Sequence, residues 1–183
     1  MEIKSFQKIY ATTTLNFPNV SLKTPLGIVT GPNGCGKSTW LKAVAGLIQT
    51  APNVRMSHTA FLDHHTHVPQ GVSLAFFLER LATMLGISMG SLEGHLKAFD
   101  LWACLHKQTQ SLSKGMRQKA LLSVLLASHK TLLLDEPEDG LDKASLDYFL
   151  EAVSKRQART IIATHQPKPY RFLKASWIEL SNV

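Results

Sequence analysis

The sequence has little cysteine. Only Cys35 and Cys104 occur in 183 residues. They lie far apart and match no metal-ligand spacing, which excludes a disulfide framework and a cysteine-built zinc site and leads us to expect a reducing compartment. Long apolar runs are also missing. The longest are pieces such as Leu121–Ala127, far short of the roughly 20 residues that span a bilayer. Met1 to Lys8 is charged and carries no apolar run, so it does not read as a secretory signal. We therefore expect no direct membrane insertion, and contact with a membrane only through a partner. Acidic residues are outnumbered, 13 against 20 Lys and Arg, for a formal charge of +7. The densest basic groups are Lys114-Arg117-Lys119, Lys155-Arg156-Arg159 and Lys168-Arg171-Lys174. No aromatic-interleaved motif accompanies them, so they read as solvated faces and no nucleic acid partner is expected.

What is present is an ordinary globular composition, 44% hydrophobic, in a length that suits one domain with a sizeable core. Short β-rich runs alternate with helical ones, the pattern of an α/β sheet. Leu26–Thr30, Ala60–Asp63, Thr131–Asp135, Thr160–Thr164 and Ser176–Leu180 read as strands. Helices are predicted over Ser38–Ile48, Ser73–Leu85, Leu92–Leu105, Ser113–Ser128 (Ser113 as N-cap) and Lys143–Gln157. Two of them fall together between strands, which suggests a helical insertion.

The first chemical element is GPNGCGKST, Gly31, Pro32, Asn33, Gly34, Cys35, Gly36, Lys37, Ser38 and Thr39. It satisfies G-x-x-x-x-G-K-[ST], follows an apolar strand and opens an amphipathic helix. Its glycines let backbone N–H groups curl around phosphate oxygens, and the helix N-terminus adds positive dipole. Lys37 would reach the β- and γ-phosphates of ATP, and the Ser38 hydroxyl would sit on Mg²⁺. The second element is LLLDEP, an apolar strand ending in two carboxylates. Asp135 would hold Mg²⁺ and Glu136 would polarise an attacking water. The third is LSKGM, Leu112 to Met116, ending 19 residues before Asp135.

With LSKGM the chain resembles the ABC-type ATPases, whose signature is usually written LSGGQ. Leu112, Ser113 and Gly115 match; Lys114 and Met116 depart. The resemblance implies a P-loop NTPase fold of the ABC type: a mainly parallel core sheet, a reduced antiparallel β region, and an inserted helical subdomain at about 73–128 in a single 1–183 domain. It further implies that Ser113 and Gly115 bind the γ-phosphate held by a facing ATPase subunit, a second copy or a homologue. Lys114 is expected to add positive charge close to that phosphate. Glu138 to Asp142 resembles the D-loop, with Asp142 at its aspartate. His165 matches the switch histidine that contacts the γ-phosphate and helps position Glu136 and water. Tyr10 aligns with the aromatic that stacks on adenine; a core tyrosine is the alternative.

One position departs from the family. A glutamine is expected after the strand that follows the first helix. Gln70 is badly placed for it. Ser73 resembles the residue that opens the next helix, and counting back eight reaches His65. Imidazole can hydrogen-bond water or phosphate but is a poor Mg²⁺ ligand. His58, His64, His65 and His67 also admit a metal or haem reading, though no cysteine or carboxylate completes a site. Within the family, Leu62, His64 and the THQP segment (Thr164-His165-Gln166-Pro167) resemble the ATP-binding subunits of cytochrome c biogenesis (Ccm) systems. That resemblance implies an ATPase on the cytoplasmic face of the inner membrane, with integral membrane permease subunits and haem-chaperone machinery as partners. The ATPase of another exporter, of a soluble scaffold assembly, and a module that holds ATP without hydrolysing it remain open at this point.

Overall fold

A computed structural model describes residues 1–63 and 66–181. The chain divides into two compact units. One comprises residues 1–64, 130–136 and 156–183; the other, residues 65–129 and 137–155. His64 and His65 lie outside the described residues.

The first unit opens with four short strands, β1 (Glu2–Ile3), β2 (Phe6–Ile9), β3 (Thr14–Phe17) and β4 (Val20–Ser21). They form two antiparallel pairs, β1 with β4 and β2 with β3. β5 (Leu26–Thr30) leads into α1 (Lys37–Val44), and β6 (Thr59–Leu62) follows. The second unit holds α2 (Leu74–Leu85), α3 (Glu93–Ala98), α4 (Lys114–Ala127) and α5 (Lys143–Lys155). β7 (Thr131–Asp135), β8 (Thr160–Ala163) and β9 (Ser176–Glu179) return to the first unit. There β6-β7-β8-β5-β9 make one sheet, parallel throughout.

Burial explains why these segments are strands. The three inner strands are almost continuously buried, as a parallel sheet covered on both faces requires. The edge strands β6 and β9 alternate between buried and more exposed positions instead. Trp40, Leu41, Ala43 and Val44 of α1 pack with Val29, Leu133, Ile161, Ala163 and Ile178 of the sheet and with Phe6 and Phe17 of the antiparallel pair. The expected strands and the reduced antiparallel region are therefore borne out.

Two helices are shorter than predicted, for the same reason. α1 stops at Val44, where Gly46 N–H donates to Ala43 O and Leu47 N–H to Lys42 O. The predicted helix at 92–105 stops at Ala98. There Asp100 N–H donates to Lys97 O and Leu101 N–H reaches back to Leu96 O, with Asp100 at φ 56°. Both are left-handed helix stops; the second uses Asp where glycine is the usual signal. Ser73 and Ser113 cap α2 and α4 through side chains that accept from Phe76 N–H and Met116 N–H.

Within the second unit, α4 is buried along all of Ala120–Leu126. It packs with α2, α3 and α5. Because Ile162 is fully buried in central β8, Ile162→Ala should lower the unfolding free energy by about 2–5 kcal/mol in urea denaturation.

Candidate functional site

Parallel pairing brings three chemical segments of the first unit to one end of the sheet. Val29 of β5 pairs with Ala163 of β8, and Ala163 pairs with Asp135 of β7. Just past this row come Gly31, His165 and Glu136. Ligands of open parallel sheets bind at such carboxyl ends.

The phosphate loop is closed on itself by Lys37. Its ammonium, 7% exposed as a residue, donates to Gly31 O at 2.9 Å and to Pro32 O at 3.1 Å. Gly31 stands at φ 149°, where a Cβ would come within 2.2 Å of the Leu180 carbonyl oxygen and 2.7 Å of Cys35 Sγ. Cys35 is buried, while Pro32, Asn33 and Gly34 at the loop's tip are exposed. Gly36 is the left-handed N-cap of α1, and Ser38 and Thr39 occupy its first turn. The loop is flanked by a cleft of about 290 Å³ against Leu15, Asn16 and Phe17. A second cleft of about 450 Å³ is lined by Pro32, His165, Arg171 and Trp177.

Asp135 ends β7 with only 2% of its surface exposed. Glu136 leaves the strand: its φ is 51°, a left-handed value that is unusual outside glycine. The carboxylate is held from the histidine side. His165 Nδ1 lies 2.6 Å from Glu136 Oε2, and His165 N–H donates to both carboxylate oxygens at 3.2 Å. Gln166 Nε2 lies 3.3 Å from the other ring nitrogen of His165. A carboxylate oriented this way can accept a proton from water. Ser38 and Asp135 offer hydroxyl and carboxylate oxygens, the hard donors that suit Mg²⁺.

Tyr10 lies over the helix start, with its hydroxyl 3.4 Å from Thr39 Oγ1. The residue is 46% exposed, so Tyr10 is not a core tyrosine. Lys8 Nζ sits 5.4 Å from the ring centroid and donates to Gln49 O at 3.2 Å. Among the described residues, no group of three or more His, Cys, Asp or Glu is gathered for a metal.

The second unit holds the signature segment. Ser113 Oγ accepts from Met116 N–H at 3.1 Å, which leaves its O–H free to donate. Lys114, expected to add charge close to a facing phosphate, has its ammonium paired within its own unit: it donates to Asp139 at 2.7 Å. Gln118 Nε2 donates to Pro137 O at 3.1 Å, and Lys119 Nζ to Asp142 at 2.5 Å. Asp142 also accepts from Ser145 N–H in the first turn of α5. The Lys119 hydrogen bond, followed by that amide, holds its carboxyl well below the usual range. Gly115 is needed for space as well as for its N–H, because a Cβ there would lie 2.5 Å from Gly140 O. Asp139, Gly140, Gln118 and Lys119 were not singled out from sequence as a group. The opposite charges of Lys114 and Asp139, 25 residues apart, and of Lys119 and Asp142, 23 apart, form no periodic pattern that would have paired them.

A sequence profile of the ABC transporter family matches residues 19–139. The chain belongs to the ABC transporter family. This ABC ATPase is 32% identical over 170 residues to the cytochrome c biogenesis ATP-binding export protein CcmA of Gluconobacter oxydans, across 88% of this chain and 79% of that one. It is 34% identical over 157 residues to the CcmA protein of Mesorhizobium japonicum, across 76% and 78% of the two chains. The fold matches the structure of the ATP-binding subunit of an ABC transporter at a TM-score of 0.86 and 22% identity, covering 99% of this chain and 85% of that one. The resemblance to cytochrome c biogenesis ATP-binding subunits, the P-loop fold of the ABC type and the ATPase activity are thus borne out. The ABC ATPase binds and hydrolyses ATP as the ATP-binding subunit of a transporter.

Gly31→Ala forces a Cβ against the Leu180 carbonyl at a left-handed φ. Strain of that kind should weaken binding of a fluorescent ATP analogue by roughly tenfold or more, with the far-UV circular dichroism unchanged.

Proposed function

We propose that this ABC ATPase works as half of an ATP sandwich that drives a membrane permease, in haem handling for cytochrome c maturation. The observation that carries the hydrolytic part is the Glu136–His165 pair beside the phosphate loop. Glu136 takes the proton of the attacking water, and His165 fixes the carboxylate from two sides. Lys37 and the loop amides bind the β- and γ-phosphates. Ser38 and Asp135 would hold Mg²⁺, which would neutralise phosphate charge. Tyr10 stacks on adenine. Gly115 N–H and the Ser113 O–H serve the γ-phosphate of a facing subunit.

The assignment to haem handling rests on relatives named as cytochrome c biogenesis ATP-binding export proteins. No helix among the described residues is by itself long and apolar enough to cross a membrane. The bent pair Leu74–Leu85 with Met89–Ala98 passes that test only jointly, at 109°. Attachment at the cytoplasmic face of the inner membrane then comes through permease subunits. Detergent co-purification from the native host should bring a multi-span protein with this chain; a soluble partner alone would sink the assignment to a transporter of haem or of anything else.

Glu136→Gln should reduce ATP turnover by about 10²–10⁴-fold. It should also leave a dimer that light scattering detects with ATP and loses with ADP. Turnover at the native rate would remove Glu136 as the base.

A further inference from the structure

Lys114, which departs from the signature, meets Asp139 of the D-loop segment within the second unit. We propose that Lys114 and Asp139 form a positioning clamp that sets the signature turn against the D-loop, and that Lys114 does not act on phosphate. The inference rests on the sandwich reading above.

The clamp sits at a defined place. Lys114 and Asp139 immediately precede Gly115 and Gly140, and a Cβ on Gly115 would lie 2.5 Å from the Gly140 carbonyl oxygen, so no side chain fits at Gly115. Their ion pair at 2.7 Å therefore flanks a close backbone approach between the two segments. Gln118 to Pro137 O and Lys119 to Asp142 fasten the next turn of α4 to the same loop. Four neighbouring ties along one seam make the signature helix and residues 137–142 a single rigid piece.

Exposure decides what the first tie is for. The side chains of Lys114 and Asp139 are 69% and 48% exposed. A pair so solvated adds little to folding stability. It does restrict the first residue of α4, and hence the Ser113 O–H and Gly115 N–H on either side of it. Pairing also cancels most of the Lys114 charge near its own helix start. The anion-binding power of that turn then comes from oriented amide and hydroxyl groups, which depend on direction in a way a free ammonium does not.

The test is a charge exchange. Lys114→Met and Asp139→Asn should each lower kcat by roughly threefold to fivefold, the factor that corresponds to loosening an exposed ion pair. The KM for ATP should stay within about twofold and the melting temperature should not move, since no ground-state contact or core packing is lost. The exchanged double variant, Lys114→Asp with Asp139→Lys, should recover most of the lost kcat. The gap between each single variant and the parent should narrow at high salt. An exchanged variant no better than the singles overturns the clamp. So does a silent Asp139→Asn beside an impaired Lys114→Met, which would assign the lysine to phosphate. The ATP-dependent dimer of Glu136→Gln separates the two levels: if it forms and the exchange fails, only the clamp falls. If no such dimer forms, the sandwich reading falls and the clamp's catalytic role with it.

Discussion

One row of backbone pairing across three strands fixes the chemistry of the first unit. Val29, Ala163 and Asp135 sit side by side on β5, β8 and β7. Slipping any of these parallel strands by one residue would exchange the side chains packed on its two covered faces and misfit both. The register is therefore locked by the apolar content of LGIVT, TIIA and TLLLD. The same lock sets the phosphate loop, the histidine and the carboxylates at a common level. Packing of α1 through Trp40 and Leu41 onto that sheet then holds the helix whose first turn presents Ser38 and Thr39. The site inherits its precision from core burial, and only the last residues of each strand carry the chemistry.

Glu136 shows where that arrangement is under tension. A carboxylate residue at φ 51° is held in a conformation costing on the order of 1–3 kcal/mol. The strand order supplies what offsets it. Glu136 N–H donates to Ala163 O at 2.9 Å, and His165, two residues further along β8's exit, binds the carboxylate through both backbone and ring. Leaving the strand at this point turns the side chain away from the alternation that would place it opposite Asp135. One carboxylate stays buried at the strand end while its neighbour is 15% exposed. Two adjacent acids thus acquire different surroundings and can take different tasks.

Much of this was legible in the sequence, and what was not has a physical reason. The strands of the parallel sheet could be read because continuous burial leaves continuous apolar runs. Lys37, Ser38, Asp135, Glu136 and His165 could be picked out because phosphate chemistry restricts residue type and order. The stop at Asp100 could not, since a left-handed Asp carries no mark that separates it from an ordinary helical Asp. The left-handed turn at Glu136 was hidden for the same reason. The partner of Lys114 was missed because an ion pair across 25 residues leaves no periodic trace. Charge next to a phosphate motif invites an electrostatic reading until the neighbour that consumes it is seen.

Lys37 of the first unit and Lys114 of the second differ in how their charge is met. Lys37 is buried and binds backbone carbonyls, which attract its charge without neutralising it. An ammonium has three donors, and two are spent on Gly31 and Pro32, leaving the third for a further acceptor, in the proposed mechanism a phosphate oxygen. Its geometry is thus set before nucleotide arrives, so little ordering entropy opposes binding, and its full charge remains to be answered by an anion. Lys114 is solvated and already answered by a carboxylate. Placing a free cation at the signature turn would attract phosphate from any direction. In the proposed sandwich a neutralised one leaves recognition to amides that donate to a phosphate oxygen only along their own axes, so that affinity would reside in the phosphate loop and orientation in the facing turn.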